Sequence, residues 1–251
     1  MQIKTFQKIV ILVAGLLILS GGVYYGYSQS WFGDKVEVGE ELQVPRKPSD
    51  ANDELKVMYA TAVVSHEARM KDSSFVNYLR EGLDWKTVGE FARKDEQRAY
   101  FVYSAYVYTK AADQYPDKQV ALVNAGNIFV QLGEFGRAEQ AYKKAAEIDP
   151  KYADPLLALL EAMQTLKAPP SKELLSYFRE RYPKLEHDGG QFVYMYARYL
   201  LTVGENAEAL DVLKTGAGLF KDDKRLPVEY AEVKKELEKR GYKEPVKIQV
   251  Q

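Results

Sequence analysis

Hydrophobic and polar positions divide the chain into two regimes. Residues 9–32 carry no charge, and residues 9–19 are almost wholly aliphatic. From residue 50 onward apolar side chains recur at helical spacing, and no run alternates in the manner of a strand. This pattern predicts an all-α protein: an N-terminal transmembrane helix followed by a solenoid of helical hairpins. The boundaries that follow are 1–8 for a cytoplasmic N-terminus, 9–32 for the anchor and 33–49 for a linker. Residues 50–82 form a helical cap, 83–223 the solenoid, 225–241 a terminal capping helix and 242–251 a tail.

The anchor rests on length and flanks. A helix rises about 1.5 Å per residue, so roughly 20 apolar residues cross a hydrocarbon core of about 30 Å. Lys4 and Lys8 precede the segment, while Asp34, Glu37, Glu40 and Glu41 follow it. The positive-inside rule therefore places the N-terminus in the cytoplasm and the remainder in the periplasm or cell exterior. Tyr24, Tyr25, Tyr27, Trp31 and Phe32 suit the membrane–water interface, being apolar in body and, for Tyr and Trp, polar at the edge. A cleaved signal peptide is the alternative, with Ser20-Gly21-Gly22 as a weak cleavage site. Pro45 and Pro48, in a stretch without helical period, make the linker a short, stiffened spacer.

In the second regime the punctuation repeats. Pro116, Pro150 and Pro183 recur about 34 residues apart, a period that stacked helical hairpins produce. The clearest unit spans residues 119–152, with helices predicted over 119–132 and 135–148. Leu122, Ala125, Gly126, Phe129, Gly133, Phe135, Ala138, Tyr142, Ala145, Ile148 and Pro150 stand in it at regular places. Gly126 and Ala138 let two helices approach, Gly133 relieves the turn between them, and Pro150 stops the second helix. Phe135 and Tyr142 fill space against the next hairpin. This unit closely resembles the tetratricopeptide (TPR) repeat. Residues 190–223 keep Ala197, Leu200, Gly204, Ala209 and Leu213 at matching positions, with Gly216 in place of an alanine. Residues 153–183 depart further, with Leu160 at a small-residue position and Pro169-Pro170 as the inter-helix turn. Residues 85–116 keep only Ala92, Tyr108, Ala111 and Pro116. At the two ends, Asp50 with Asp53 is expected to cap a helix running to about Lys71, and residues 227–240 to form a helix ending at Gly241.

The resemblance implies a concave groove lined by the first helix of each hairpin. Carried across position by position, it gives Val123, Asn127, Val130 and Gln131 in the clearest unit. It gives Leu157, Glu161 and Gln164 in the next, and Tyr194, Arg198, Leu201 and Thr202 in the last. Family members that hold a terminal carboxylate use groove lysines; Val123 occupies one such place, which disfavours that ligand. A lightly charged groove with one arginine suits an extended or helical peptide from a partner protein. Two roles follow: an anchored scaffold for an extracytoplasmic envelope complex, or a receptor or chaperone for polypeptides in transit at a translocation machinery.

Composition narrows the chemistry. With 35 basic against 36 acidic residues, no nucleic-acid partner is indicated. Absence of cysteine excludes disulfides and thiolate chemistry. His66 opens a stretch resembling a zinc-protease helix, but Met70 stands where the second histidine is required. His187 belongs to a loop, and Ser65 cannot face His66 from the next position of one helix. Lys214-Thr215-Gly216-Ala217-Gly218 has its glycines on the wrong side for a phosphate loop. No catalytic residue, metal or cofactor is expected. The run Tyr100, Phe101, Tyr103, Tyr106 and Tyr108 is expected to pack between hairpins, with an exposed partner surface as the alternative.

Overall fold

The structure, a computed structural model, describes residues 42–185 and 190–242. The anchor at 9–32 lies outside the described residues, as do the N-terminus, residues 33–41 of the linker, His187 and residues 243–251 of the tail. No described helix is long and apolar enough to cross a membrane. The chain divides into two units, Met1–Gln43 and Val44–Gln251, of which the second is described by itself.

Among the described residues there are ten α-helices and no strand. They are α1 (Asp53–Lys71), α2 (Phe75–Phe91), α3 (Lys94–Gln114), α4 (Gln119–Gln131), α5 (Phe135–Ile148), α6 (Asp154–Thr165), α7 (Lys172–Arg181), α8 (Gly190–Thr202), α9 (Asn206–Leu219) and α10 (Arg225–Lys239). From α1 to α6 each helix packs on the next, and α4, α6 and α8 also lie side by side. The first helices of successive hairpins thus share one face.

The central hairpin, α4 with α5, shows why the small residues recur. A Cβ built on Gly126 would stand 2.5 Å from Cε1 of Tyr142, so only glycine admits that ring. Ala138, Ala141 and Ala145 are fully buried beside it, while Phe135 is only half-buried. After α4 the chain turns through Gly133, whose φ of 74° suits a residue without a side chain. The turn is closed by Glu134 N–H on Phe129 O at 2.8 Å and Gly133 N–H on Val130 O at 3.0 Å. This Schellman pairing satisfies carbonyls that the helix end leaves open. The same pairing recurs after α8 through Gly204 and after α6 through Lys167. Lys167 holds a φ of 51° where its siblings use glycine. The turn after α6 is therefore made at Lys167, and Pro169-Pro170 follow it.

Gly216 in α9 is explained by the last hairpin: a Cβ there would lie 2.5 Å from Val193 Cγ1. In the third hairpin Leu160 is buried at the small-residue position. Its second helix, α7, packs through rings, with Phe178 against Phe192, Tyr196 and Tyr199 at centroid separations of 6.5, 5.8 and 5.4 Å.

The N-terminal part departs from expectation in four ways. Residues 82 and 83 lie inside α2, so the boundary placed between them cuts a continuous helix. Ala92 ends α2, and Gly82 takes the crossing position, where a Cβ would meet Tyr108 at 2.7 Å. The register slipped because α3 has 21 residues against 14 in α5, which moves its partner helix earlier in the chain. Asn52, not Asp50 or Asp53, caps α1, its side chain accepting from Leu55 N–H at 2.8 Å.

The last departure concerns the linker, whose end from Val44 is lashed to the helices. Tyr59 donates to Pro45 O at 3.0 Å and Tyr100 to Arg46 O at 2.7 Å. Glu96 Oε1 accepts from Ser49 N–H at 2.9 Å and Ser49 Oγ at 2.6 Å. Glu96 and Tyr100 sit on the first two turns of α3, the part that lengthens it.

Between α1, α2 and α3 lies a buried polar knot. Glu81, wholly buried, accepts from Arg69 Nε and from His66 Nδ1 at 2.9 Å. The Tyr103 hydroxyl is 3.1 Å from the same His66 nitrogen, and Ser65 Oγ donates to Asp84 at 2.5 Å. Trp85 fits against Tyr59, Tyr100 and Tyr103. In the tyrosine run Tyr100, Phe101, Tyr103 and Tyr108 are buried and Tyr106 is half-buried, so packing accounts for it.

Candidate partner-binding groove

Two depressions open along the face shared by the first helices. The first, about 280 Å³, is lined by Lys86 and Glu90 of α2, Asn127, Val130 and Gln131 of α4, and Ala158 and Glu161 of α6. The second, about 540 Å³, lies between α6 and α8, with Met163, Gln164, Tyr194, Arg198, Tyr199 and Leu201 in its wall. Of the residues expected in a groove, Asn127, Val130, Gln131 and Glu161 thus share one depression, and Gln164, Tyr194, Arg198, Leu201 and Thr202 the other. Val123 and Leu157 are half-buried and line neither.

Helical spacing turns these side chains outward. Gly126 and Ala125 face α5, so the next residue, Asn127, points to the open side and is exposed. Its orientation is held from below, because the Tyr142 hydroxyl donates to Asn127 Oδ1 at 2.8 Å. With its oxygen engaged, Asn127 keeps its amide N–H groups as donors, which suit a peptide carbonyl. Burial raises the Tyr142 phenol pKa well above its usual value, and the nearby Glu161 carboxylate adds to the effect. Burial likewise raises that of Tyr199 in the second depression. Both rings stay neutral, so the charge of the groove is set by its few ionic side chains. Lys86 and Glu90 neutralise each other at 2.9 Å. Glu161 is exposed in the first depression and Arg198 in the second.

Arg198 is tethered. Its guanidinium lies over the Tyr194 ring at 5.9 Å and reaches Glu229 of α10 at 3.3 Å. Tyr194 itself is half-buried, presenting part of its ring to the depression and part to its neighbours. The terminal helix is therefore part of the groove's edge, a contribution that the repeat pattern alone does not contain.

Sequence reasoning missed Lys86 and Glu90. With Gly82 as the crossing residue, the step that leads from Gly126 to Val130 leads to Lys86. The Gly82–Tyr108 contact parallels Gly126–Tyr142 in space, but the two pairs stand at different separations in the chain. Met163 of α6 was also missed, as were Ala168 and Pro170, because the loop after α6 folds back to wall the second depression.

The family model described as TPR repeat matches residues 126–166. That match supports the TPR family. It spans the crossing glycine of α4 and all of α5 and α6, the stretch that supplies the α4 and α6 walls of the first depression. The TPR family is generally a non-catalytic module that binds proteins or peptides. No curated protein matches the chain. Among the described residues, no group of three or more His, Asp or Glu side chains is placed to hold a metal ion.

Proposed function

We propose that this protein is a single-pass membrane-anchored TPR scaffold whose groove holds a segment of a partner protein in an extracytoplasmic complex. The observation that carries this reading is the pair of depressions along α4, α6 and α8, with buried packing beneath and only isolated charges at the rim. Such a surface suits an extended or helical peptide whose apolar side chains fill the depressions while Asn127 and Gln164 meet its polar groups. The anchor enters through the apolar composition of residues 9–32, and the outward topology through Lys4 and Lys8 against the acidic stretch that follows. The lipid bilayer is the second partner.

Capture of partners on the full chain, followed by mass spectrometry, tests the role. A stoichiometric partner lost with Tyr194→Ala or Arg198→Ala, at unchanged melting temperature, supports the scaffold. Either residue as an anchor contributes upwards of about 1 kcal/mol to binding. Weak capture of many unfolded clients would instead favour the receptor role. Full capture by both variants would remove the groove from the proposal. Topology is tested by Lys35→Cys, since the chain has no other cysteine. Labelling of intact cells by an impermeant thiol reagent is expected, and labelling only after lysis would reverse the assignment.

A further inference from the structure

The two ends of the helical stack are finished differently. At the C-terminal end α10 turns Leu226 and Leu237 inward; its outer face exposes Val228 and Ala231 in the first half and Glu232, Lys235, Glu236 and Lys239 thereafter. The charged second half of that face is what a terminal repeat requires. At the N-terminal end α1 buries Leu55, Ala62, Ser65 and Arg69, yet its opposite side is also apolar. Val57 and Val64, one heptad apart, are 65% and 63% exposed, with Ala60 and Thr61 exposed between them. The Thr61 hydroxyl is spent on Val57 O of its own helix at 2.9 Å, which leaves its methyl group to the stripe. A helix apolar on both sides belongs in an interface.

We infer that α1 pairs with α1 of a second copy, antiparallel, about a two-fold axis midway between Thr61 and Val64. The occupant is identified by the charges that bracket the stripe. The first turn of α1 carries Asp53 and Glu54, and the last turn ends in Lys71. Antiparallel pairing sets Glu54 of one copy against Lys71 of the other, twice over, and aligns the two helix dipoles favourably. In the same register Thr61 meets Val64 and Val57 meets Ala68 across the seam. An isologous contact of this kind closes on itself and stops at the dimer. This inference is independent of the groove, which lies on other helices.

The test uses the full chain in detergent, by sedimentation velocity and by cross-linking. A dimer is expected, and Val64→Asp should convert it to monomer without loss of helicity. Glu54→Lys and Lys71→Glu should each weaken association at least several-fold, and the two together should restore it. Thr61→Cys should be joined by a short bifunctional thiol reagent much faster than Glu232→Cys on the polar end. A monomeric full chain would overturn the proposal. So would a dimer that survives Val64→Asp, which would assign association to the anchor. A charge exchange that fails to rescue would rule out antiparallel self-pairing.

Discussion

The N-terminal hairpin, α2 with α3, and the central hairpin, α4 with α5, are built on one crossing and held by different means. In each, a glycine admits a tyrosine ring from the facing helix: Gly82 under Tyr108, Gly126 under Tyr142. The central hairpin surrounds that contact with buried alanines. The N-terminal hairpin adds the Arg69–Glu81–His66 knot, shared with α1, and a lashed segment of incoming chain. The central hairpin relies on this close approach, with the Tyr142 hydroxyl bonded to Asn127 across its two helices. The hairpin nearest the chain entry gains specific polar links to whatever precedes it. Such links add less stability than their number suggests, because each buried charge costs desolvation; what they impose is one arrangement of three helices.

The contrast breaks most sharply at Glu81. Glu81→Ala leaves Arg69 buried without its carboxylate, and a loss of about 3–5 kcal/mol is expected in urea melts. Nothing in the central hairpin offers a polar change of that size. If Glu81→Ala melts with the parent, the knot is not holding α1 to α2. Next come the two crossings, which should behave alike despite their different surroundings. Gly82→Leu and Gly126→Leu each force a side chain into a tyrosine ring and should cost about 1–3 kcal/mol. A harmless substitution at either site would show that its helices can separate freely.

A gain is expected at the third hairpin. Lys167→Gly relaxes a left-handed residue in the Schellman turn that Gly133 and Gly204 occupy in its siblings, and should stabilise by up to about 1 kcal/mol. An unchanged or lower midpoint would mean that Lys167 has compensating contacts. The smallest effect belongs to the lashed linker. Hydrogen bonds from the Ser49 hydroxyl and N–H hold the Glu96 carboxyl below its usual pKa. A lowered folded-state value means that this contribution is present above the ordinary carboxylate range and is lost as pH falls through the folded value. Hydrogen exchange at Ser49, corrected for its intrinsic pH dependence, should therefore lose protection in acid. Glu96→Gln should lower protection at neutral pH and flatten its pH dependence. Equal protection at both pH values in the parent chain would contradict this role for Glu96.

Much of the architecture was legible because it depends on spacing. Gly126, Gly133, Ala138, Tyr142 and Pro150 stand at fixed offsets, and the limits of α4 and α5 follow them to within a residue. The outward direction of Asn127, Gln131, Glu161 and Arg198 follows from the same period, since helical spacing sets these positions on the face away from the buried crossing residues. What spacing alone could not decide is set by contacts between residues distant in the chain. The length of α3 answers to Ser49 and Arg46, some fifty positions earlier, so no local pattern announced that Gly82 and not Ala92 would be the crossing residue. Glu81 reads as one more solvated charge until α1 brings Arg69 and His66 onto it. Arg198 reads as a free groove cation until α10 returns Glu229 to its side. Sequence by itself determined the helices, turns and outward faces of the central hairpin, because these depend on neighbours within a few residues. Only the tertiary structure decided which polar groups are buried and what they meet, because burial is a property of the assembled stack.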